Sequence, residues 1–397
     1  MTLTQPSRVS DRLRPFGTTI FAEMTALAHR HGAVNLSQGF PDEAGPSLAH
    51  EAAVRAIREG HNQYAPLAGV PELRHAIAGW CERGIGIRPD PDREITVTNG
   101  ATGALASTML GLINPGDEVV LFEPYYDSYR AGVAMAGGTA KFVTLRPHNG
   151  RFTFDPDELR SAFGPRTRAV LVNSPHNPTG TVFSQDELGL IAEQCQRHDA
   201  VAVSDEVYER LVYDPGQPHV SIASLPGMRE RTIVISSIGK TFSLTGWKVG
   251  WAVAPPDLTA AVRSAHQFLA YAVATPLQHG SAAMLNHGED DSRRITAHDH
   301  AMLGRLSPAL AELGFGVFEP AGAYFIMADH TGVSQRVGVR SDVALCAWLA
   351  SEARVAAIPT SAFYADAVAG SRYVRFAFCK RAETIDEAIR RLRGALG

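Results

Sequence analysis

Seven short apolar runs recur through the middle of the chain: EITVT (94–98), EVVLFEP (118–124), AKFVTL (140–145), RAVLVNSP (168–175), VAVSDEVY (201–208), RTIVISS (231–237) and VGWAVAP (249–255). Most are β-branched or aliphatic without alternation, the pattern of strands covered on both faces. Helical periodicity lies between several of them. TGALASTMLGLI comes after the first run and SQDELGLIAEQCQRHD after the fourth. The latter opens with Ser184 and carries Glu187 three residues on, the spacing of a capping box. Strands alternating with helices predict an α/β fold with a doubly wound, mainly parallel sheet. The short connection between the last two runs leaves room for an antiparallel strand. A long helical stretch over 257–285 leads away from the sheet. Beyond it, GVFEPAGAYFIMADH and SRYVRFAFCKR read as strands among helices such as SDVALCAWLASEAR and ETIDEAIRRLRGAL. The expected division is a large domain over 46–285 and a smaller α+β domain over 286–397, joined by the N-terminal segment 1–45.

Composition narrows the function class. The chain has 397 residues, 45% hydrophobic and 20% charged, with a formal net charge of −4. That is ordinary globular composition, with no basic footprint for nucleic acid or an anionic membrane. The four cysteines, Cys81, Cys195, Cys346 and Cys379, lie far apart with no CxxC pair. They suit reduced thiols in a cytoplasmic protein and give no zinc or disulfide framework. The N-terminus, MTLTQPSRVSDRLRPF, has no apolar segment of a secretory signal. No run approaches the length of a membrane span. HDH at 298–300 lies in a polar helical stretch, and a solvated face is expected there rather than a metal site.

In parallel sheets ligands bind beyond the carboxyl ends of the strands. The segments at those ends therefore form one set: NGATGAL, EPYYDSY, NSPHNPTG, SDEVY and SSIGK. Gly100, Ala101 and Thr102 stand at a helix start, where free N–H groups and the helix dipole suit a phosphate; plain N-capping explains the same residues. Ser237 and Lys248 offer a hydroxyl and a charge to the same anion. Asp205 sits in an apolar strand and needs a cationic or N–H partner. Lys240, in SSIGKTFSLTGWKVGW, comes after a buried strand among small and hydroxyl residues. A surface lysine is the plain reading; an amine with a chemical task is the sharper one.

This constellation resembles the pyridoxal 5′-phosphate (PLP) enzymes of the aspartate aminotransferase fold, fold type I. It is most similar to the branch with kynurenine aminotransferase, glutamine transaminase K and methionine aminotransferases, and to actinobacterial succinyldiaminopimelate aminotransferases. The resemblance is carried by VNLSQGFPDE, NQYAPLAGVPELR, GDEVVLFEPYYDSY, NSPHNPTGTVF, SDEVYERLVYD, GKTFSLTGWKVGW, VAAIPTSAFY and VRFAFCK. It implies a seven-stranded sheet and an aminotransferase working by a ping-pong mechanism between an L-amino acid and a 2-oxo acid. Lys240 would attach the cofactor aldehyde and then move the proton between substrate Cα and C4′. Asp205 would pair with the pyridine nitrogen. Tyr208 and Asn177 would bond the ring O3′, and Tyr126 would stack on the ring. Lys248 would anchor the phosphate with Gly100, Ala101, Thr102 and Ser237. Tyr64 would reach the phosphate from a neighbouring subunit, which requires a homodimer. Arg375 would clamp the substrate carboxylate, completed by the Gly39 backbone and the Asn177 side chain. Cis peptides are expected at Glu123–Pro124 and Asn177–Pro178.

The side-chain pocket is expected to be less aromatic than in kynurenine-type relatives. Phe21 stands where they tend to have tryptophan, Thr102 where several have tyrosine, and Val273, Ala274 and Thr275 near a phenylalanine–histidine pair. Glutamine or methionine is therefore expected above kynurenine or tryptophan as donor. A succinylated diamino acid or another specialised biosynthetic substrate is an alternative, and so is a carbon–sulfur β-lyase acting on cysteine conjugates. A non-enzymatic relative fused to a DNA-binding module finds no basic extension here. A nicotinamide dehydrogenase finds no GxGxxG after the first strand.

Overall fold

The computed structural model describes residues 8–214 and 216–397. Residues 1–7, part of the stretch read as lacking a secretory signal, lie outside the described residues. All seven runs form strands: β1 (Ile95–Asn99), β2 (Glu118–Glu123), β3 (Thr139–Thr144), β4 (Thr167–Asn173), β5 (Val201–Asp205), β6 (Thr232–Ser237) and β7 (Val249–Val253). They make one sheet in the order β1-β7-β6-β5-β4-β2-β3. Strand β7 runs antiparallel to both its neighbours, and the other pairs are parallel.

The absence of alternation in these runs has its reason in the two faces of the sheet. Val119, Leu121, Leu171 and Ile235 pack on one side with Leu105 and Met109 of helix α1 (Gly100–Leu112). Their neighbours Val120, Phe122, Val170 and Val172 pack on the other, with Phe183 and Ile191. Each such buried aliphatic side chain contributes about 1.5–3 kcal/mol. The capping box at Ser184 and Glu187 opens the helix Gln185–His198.

Beyond the large sheet lies a second, antiparallel sheet of four strands: β8 (Gly316–Phe318), β9 (Phe325–Asp329), β10 (Ile358–Pro359) and β11 (Tyr373–Ala377), in the order β8-β9-β11-β10. Val34 and Asn35 pair in parallel with Val355 and Ala356. That pairing carries residues 37–42 across to the edge of the large sheet.

Two expectations need correction. The stretch 257–285 is two helices, Pro256–Leu269 and Thr275–His287. The break has a local cause: Tyr271 takes φ +64, and Pro276 at the start of the second helix cannot donate into a continuing one. The HDH group is a solvated face only in part: His300 is exposed and His298 half-buried, but the residue between them is not. Asp299 is 4% exposed, and burial, with Glu43 nearby, pushes its carboxyl up to about 8. His298 Nε2 lies 2.9 Å from the Lys380 carbonyl, and His300 stacks on Tyr213. The peptides at Glu123–Pro124 and Asn177–Pro178 are cis, as is Ser174–Pro175. No described helix is long and apolar enough to cross a membrane.

Candidate active site

Strand register assembles the site. Val249 stands opposite Asn99, and Gly250 opposite both Thr98 and Ser237. Lys248, just before β7, therefore meets Gly100, just after β1, beside the end of β6. A Cβ added to Gly100 (φ +68) would lie 3.1 Å from Lys248 Nζ. One added to Gly250 would lie 2.6 Å from the Ala101 nitrogen. Only glycine allows this approach. Helix α1 receives no side-chain cap from Asn99, whose Oδ1 is buried without a partner. The first N–H groups of a helix have no intrahelical acceptor, so these amides and Lys248 form a concave, positive end.

Farther along the sheet edge, Asn173 stands opposite Asp205, and Asp205 opposite Ile235. Asp205 Oδ2 accepts from Tyr129 Oη at 2.7 Å. Burial pushes its carboxyl up to about 6, against the Tyr129 hydrogen bond and the Lys240 charge. Lys240 belongs to the single turn Ile238–Thr241 after β6. Its Nζ donates to the Gly39 carbonyl at 3.2 Å. Burial draws the amine down to about 8, helped by the like charges of Lys248 and Arg375.

Arg375 comes from β11 of the small sheet and is 1% exposed. Its Nη1 donates to Asn177 Oδ1 at 2.8 Å and its Nη2 to the Ser37 carbonyl at 2.9 Å. Its Nε is buried without a partner. The guanidinium lies 4.0 Å over the Phe325 ring, with Phe21 and Phe363 at 5.3 and 5.4 Å. Burial draws it down to about 10, so it remains a cation at neutral pH.

These groups line one cavity of about 330 Å³. Its wall includes Gly39, Gly100, Ala101, Thr102, Tyr126, Asn177, Asp205, Tyr208, Ser237, Lys240, Lys248, Arg375 and Phe21. Tyr64 alone of the expected cofactor and carboxylate residues is elsewhere: it is 87% exposed and packs edge-on against Tyr271. Val273, Ala274 and Thr275 do not line this cavity either; Val273 is buried and Thr275 Oγ1 donates to the Gln63 carbonyl. Sequence reasoning missed Tyr129, one helical turn after Tyr126 in YYDSY. It also missed Asn173, whose amide donates to the Asp205 carbonyl at 2.9 Å and accepts from the Asn177 N–H at 2.8 Å.

The donor set fits PLP. Lys240, Lys248 and Arg375 line the cavity, and none is ion-paired to a carboxylate among the described residues. Lys248 is exposed, but Arg375 is buried, and an unpaired buried charge is costly and suits an anionic ligand. A positive glycine-lined end suits the phosphate, Asp205 a protonated ring nitrogen, and Lys240 an aldehyde.

Residues 32–392 match the family described as aminotransferase class I and II. The solved N-succinyldiaminopimelate aminotransferase of Mycobacterium tuberculosis is similar with a TM-score of 0.94 at 48% identity, covering 98% of this chain and 100% of that one. The methionine aminotransferase of Escherichia coli K12 is 41% identical over 382 residues, 96% of this chain and 97% of its own. Human kynurenine–oxoglutarate transaminase 1 is 36% identical over 94% of each chain.

Proposed function

The chain belongs to the class I and II aminotransferases and is a PLP-dependent transaminase; within that family, we propose that it moves the amino group of an L-amino acid with a long, non-aromatic side chain to a 2-oxo acid. The observation carrying this reading is the single cavity in which Lys240, Asp205, Lys248 and Arg375 face one another.

PLP, when bound, supplies an electron sink for the substrate Cα. Ser237, Lys248 and the amides at Gly100, Ala101 and Thr102 hold its phosphate. Asp205, oriented by Tyr129, holds a proton on the ring nitrogen. Tyr208 and Asn177 would hydrogen-bond the phenolic oxygen, and Tyr126 would cover the ring. Lys240 Nζ would hold the aldehyde of the cofactor, and its free amine, drawn down to about 8 in this cavity, would be suited to take the proton from the substrate Cα. Arg375 and Asn177 fix the substrate carboxylate, so the Cα hydrogen is presented to Lys240. In this reading residues 46–285 hold the cofactor, while 286–397 with the N-terminal segment supply the clamp.

A homodimer is part of the proposal. Phe268 (87% exposed), Leu269 and Tyr271 are exposed apolar residues of one short stretch, and Tyr271 packs edge-on against the exposed Tyr64. Such a patch marks an interaction surface and is suited to bring Tyr64 to a partner's phosphate site. A cytoplasmic location is supported by four free cysteines, all buried.

Phe21 and Thr102 stand where kynurenine-type relatives tend to carry tryptophan and tyrosine, so this part of the wall gives an indole or phenyl group less to stack on, although Tyr126, Tyr129, Tyr208 and Phe325 also line the cavity. Glutamine and methionine suit it. The 48% identity to an N-succinyldiaminopimelate aminotransferase favours a second reading, a succinylated diamino acid. A donor panel against several 2-oxo acids, ranked by kcat/KM, decides. Glutamine or methionine above kynurenine supports the first reading, the succinylated substrate alone in front supports the second, and kynurenine in first place refutes the pocket argument. Pyruvate release from a cysteine conjugate without an acceptor marks β-lyase chemistry instead.

A further inference from the structure

Glu206 comes directly after Asp205 at the end of β5 and turns to the opposite face of the sheet. Strand alternation puts it beside Ser204, and Ser204 Oγ donates to Glu206 Oε1 at 2.7 Å. Ser221 Oγ donates to the same oxygen at 2.6 Å. His219 Nε2 stands 2.9 Å from Oε2. Glu206 is 2% exposed. His219 Nδ1 is buried with no partner, so the ring proton is best used on Nε2, donating to the carboxylate. Among the described residues no lysine or arginine is paired with Glu206. Three donors thus hold a buried carboxylate that no fixed cation neutralises, an arrangement a protein does not maintain cheaply.

The main chain between the two carboxylates is pinned as well. Glu206 N donates to the Ile235 carbonyl at 2.8 Å, and the Asp205 carbonyl accepts from Asn173 Nδ2. Two other charged groups lie on this side. Glu209 accepts from Trp80 Nε1 at 3.2 Å and Ser236 Oγ at 3.0 Å, and Arg210 lies 4.1 Å over the Trp80 ring. Neither is hydrogen-bonded to Glu206 among the described residues.

We infer that Glu206, clamped by Ser204, His219 and Ser221, is a positioning residue for the cofactor ring: it fixes the Asp205 carboxylate from behind and adds negative potential there, favouring a ring that carries a protonated nitrogen. The inference rests on Asp205 being the ring-nitrogen partner. The Glu206 charge also works in the same direction as burial in holding the Asp205 carboxyl up.

The test is a binding measurement. Cofactor-stripped protein is titrated with PLP and with its 1-deaza analogue, in which carbon replaces the ring nitrogen. Wild type, Glu206→Gln and Asp205→Asn are compared by absorbance and by quenching of intrinsic fluorescence. Glu206→Gln is expected to weaken PLP by about tenfold while leaving the deaza analogue nearly unchanged. Equal weakening of both, or of neither, overturns the inference, because a merely structural role does not distinguish the two rings. Should Glu206→Gln fail to fold, Ser221→Ala keeps the charge and removes one anchor. It is expected to show the same preference at about threefold, and indifference there overturns the inference too. An Asp205→Asn protein that treats both rings alike removes the assignment of Asp205, and this inference with it. A discriminating Asp205→Asn beside an indifferent Glu206→Gln removes only the role of Glu206.

Discussion

Arg375 Nη1 donates to Asn177 Oδ1 across 2.8 Å, tying a strand of the small sheet to the turn after β4 of the large one. The proposed carboxylate clamp is thus held relative to the lysine by a hydrogen bond between the two sheets. With Nε buried and unpartnered, the guanidinium keeps donor capacity for a ligand.

Arg375→Ala is expected to lower kcat/KM for amino donors by the equivalent of roughly 2–5 kcal/mol, the cost of losing one side of a buried charge pair. PLP affinity is expected to be retained. Arg375→Lys restores the charge but not the fork and should recover only part of the loss. Unchanged kinetics in both variants contradict the clamp.

Lys240 carries a stability cost in the cofactor-free protein. Its folded value of about 8 lies below the ordinary lysine value, so between there and about 10.4 the unfolded chain holds a proton that the folded chain has released. Stability therefore rises with pH through that window, and the full cost is present below it. Lys240→Met should stabilise the stripped protein by roughly 1–3 kcal/mol at pH 7 and by much less above pH 10. Denaturant titrations at the two pH values measure it; a gain independent of pH contradicts the desolvated amine.

Gly250→Ala places a Cβ 2.6 Å from the Ala101 nitrogen, against backbone that cannot swing away. A destabilisation of about 1–3 kcal/mol is expected, with weakened PLP binding because the cradle amides move. A fully stable variant with normal cofactor affinity contradicts the close approach.

Tyr64 tests the dimer. Tyr64→Ala and Lys240→Ala homodimers are each expected to be impaired. If the tyrosine serves across the interface, dissociation and remixing forms hybrids in which one site has both residues intact and regains activity. No recovery, with hybrids shown by mass, contradicts a shared site.

The seven strands were legible because both faces of the sheet are buried, which forces unbroken aliphatic runs such as VAVSD. Lys240 and Asp205 were legible as polar groups set in such surroundings. Tyr129 was not, since a tyrosine one turn into a helix looks like packing until its hydroxyl is seen against Asp205. The break near Tyr271 was missed because apolar periodicity continues across it, although Pro276 announced a new helix start. The burial of Asp299 was hidden because a polar helix face does not reveal what docks on it. Val273, Ala274 and Thr275 were assigned to the pocket by resemblance, and in this chain their surroundings are other than the cavity.

The whole reading of the site stands on Lys240, and not its neighbour Lys248, attaching the cofactor. Borohydride reduction of the PLP-loaded protein, followed by proteolysis and peptide mapping, settles which lysine it is. A pyridoxyl label is expected on the peptide at Lys240 in the wild type. No labelled peptide is expected from Lys240→Ala, which should remain folded and inactive. A label on Lys248, or labelling that survives Lys240→Ala at full yield, would contradict it.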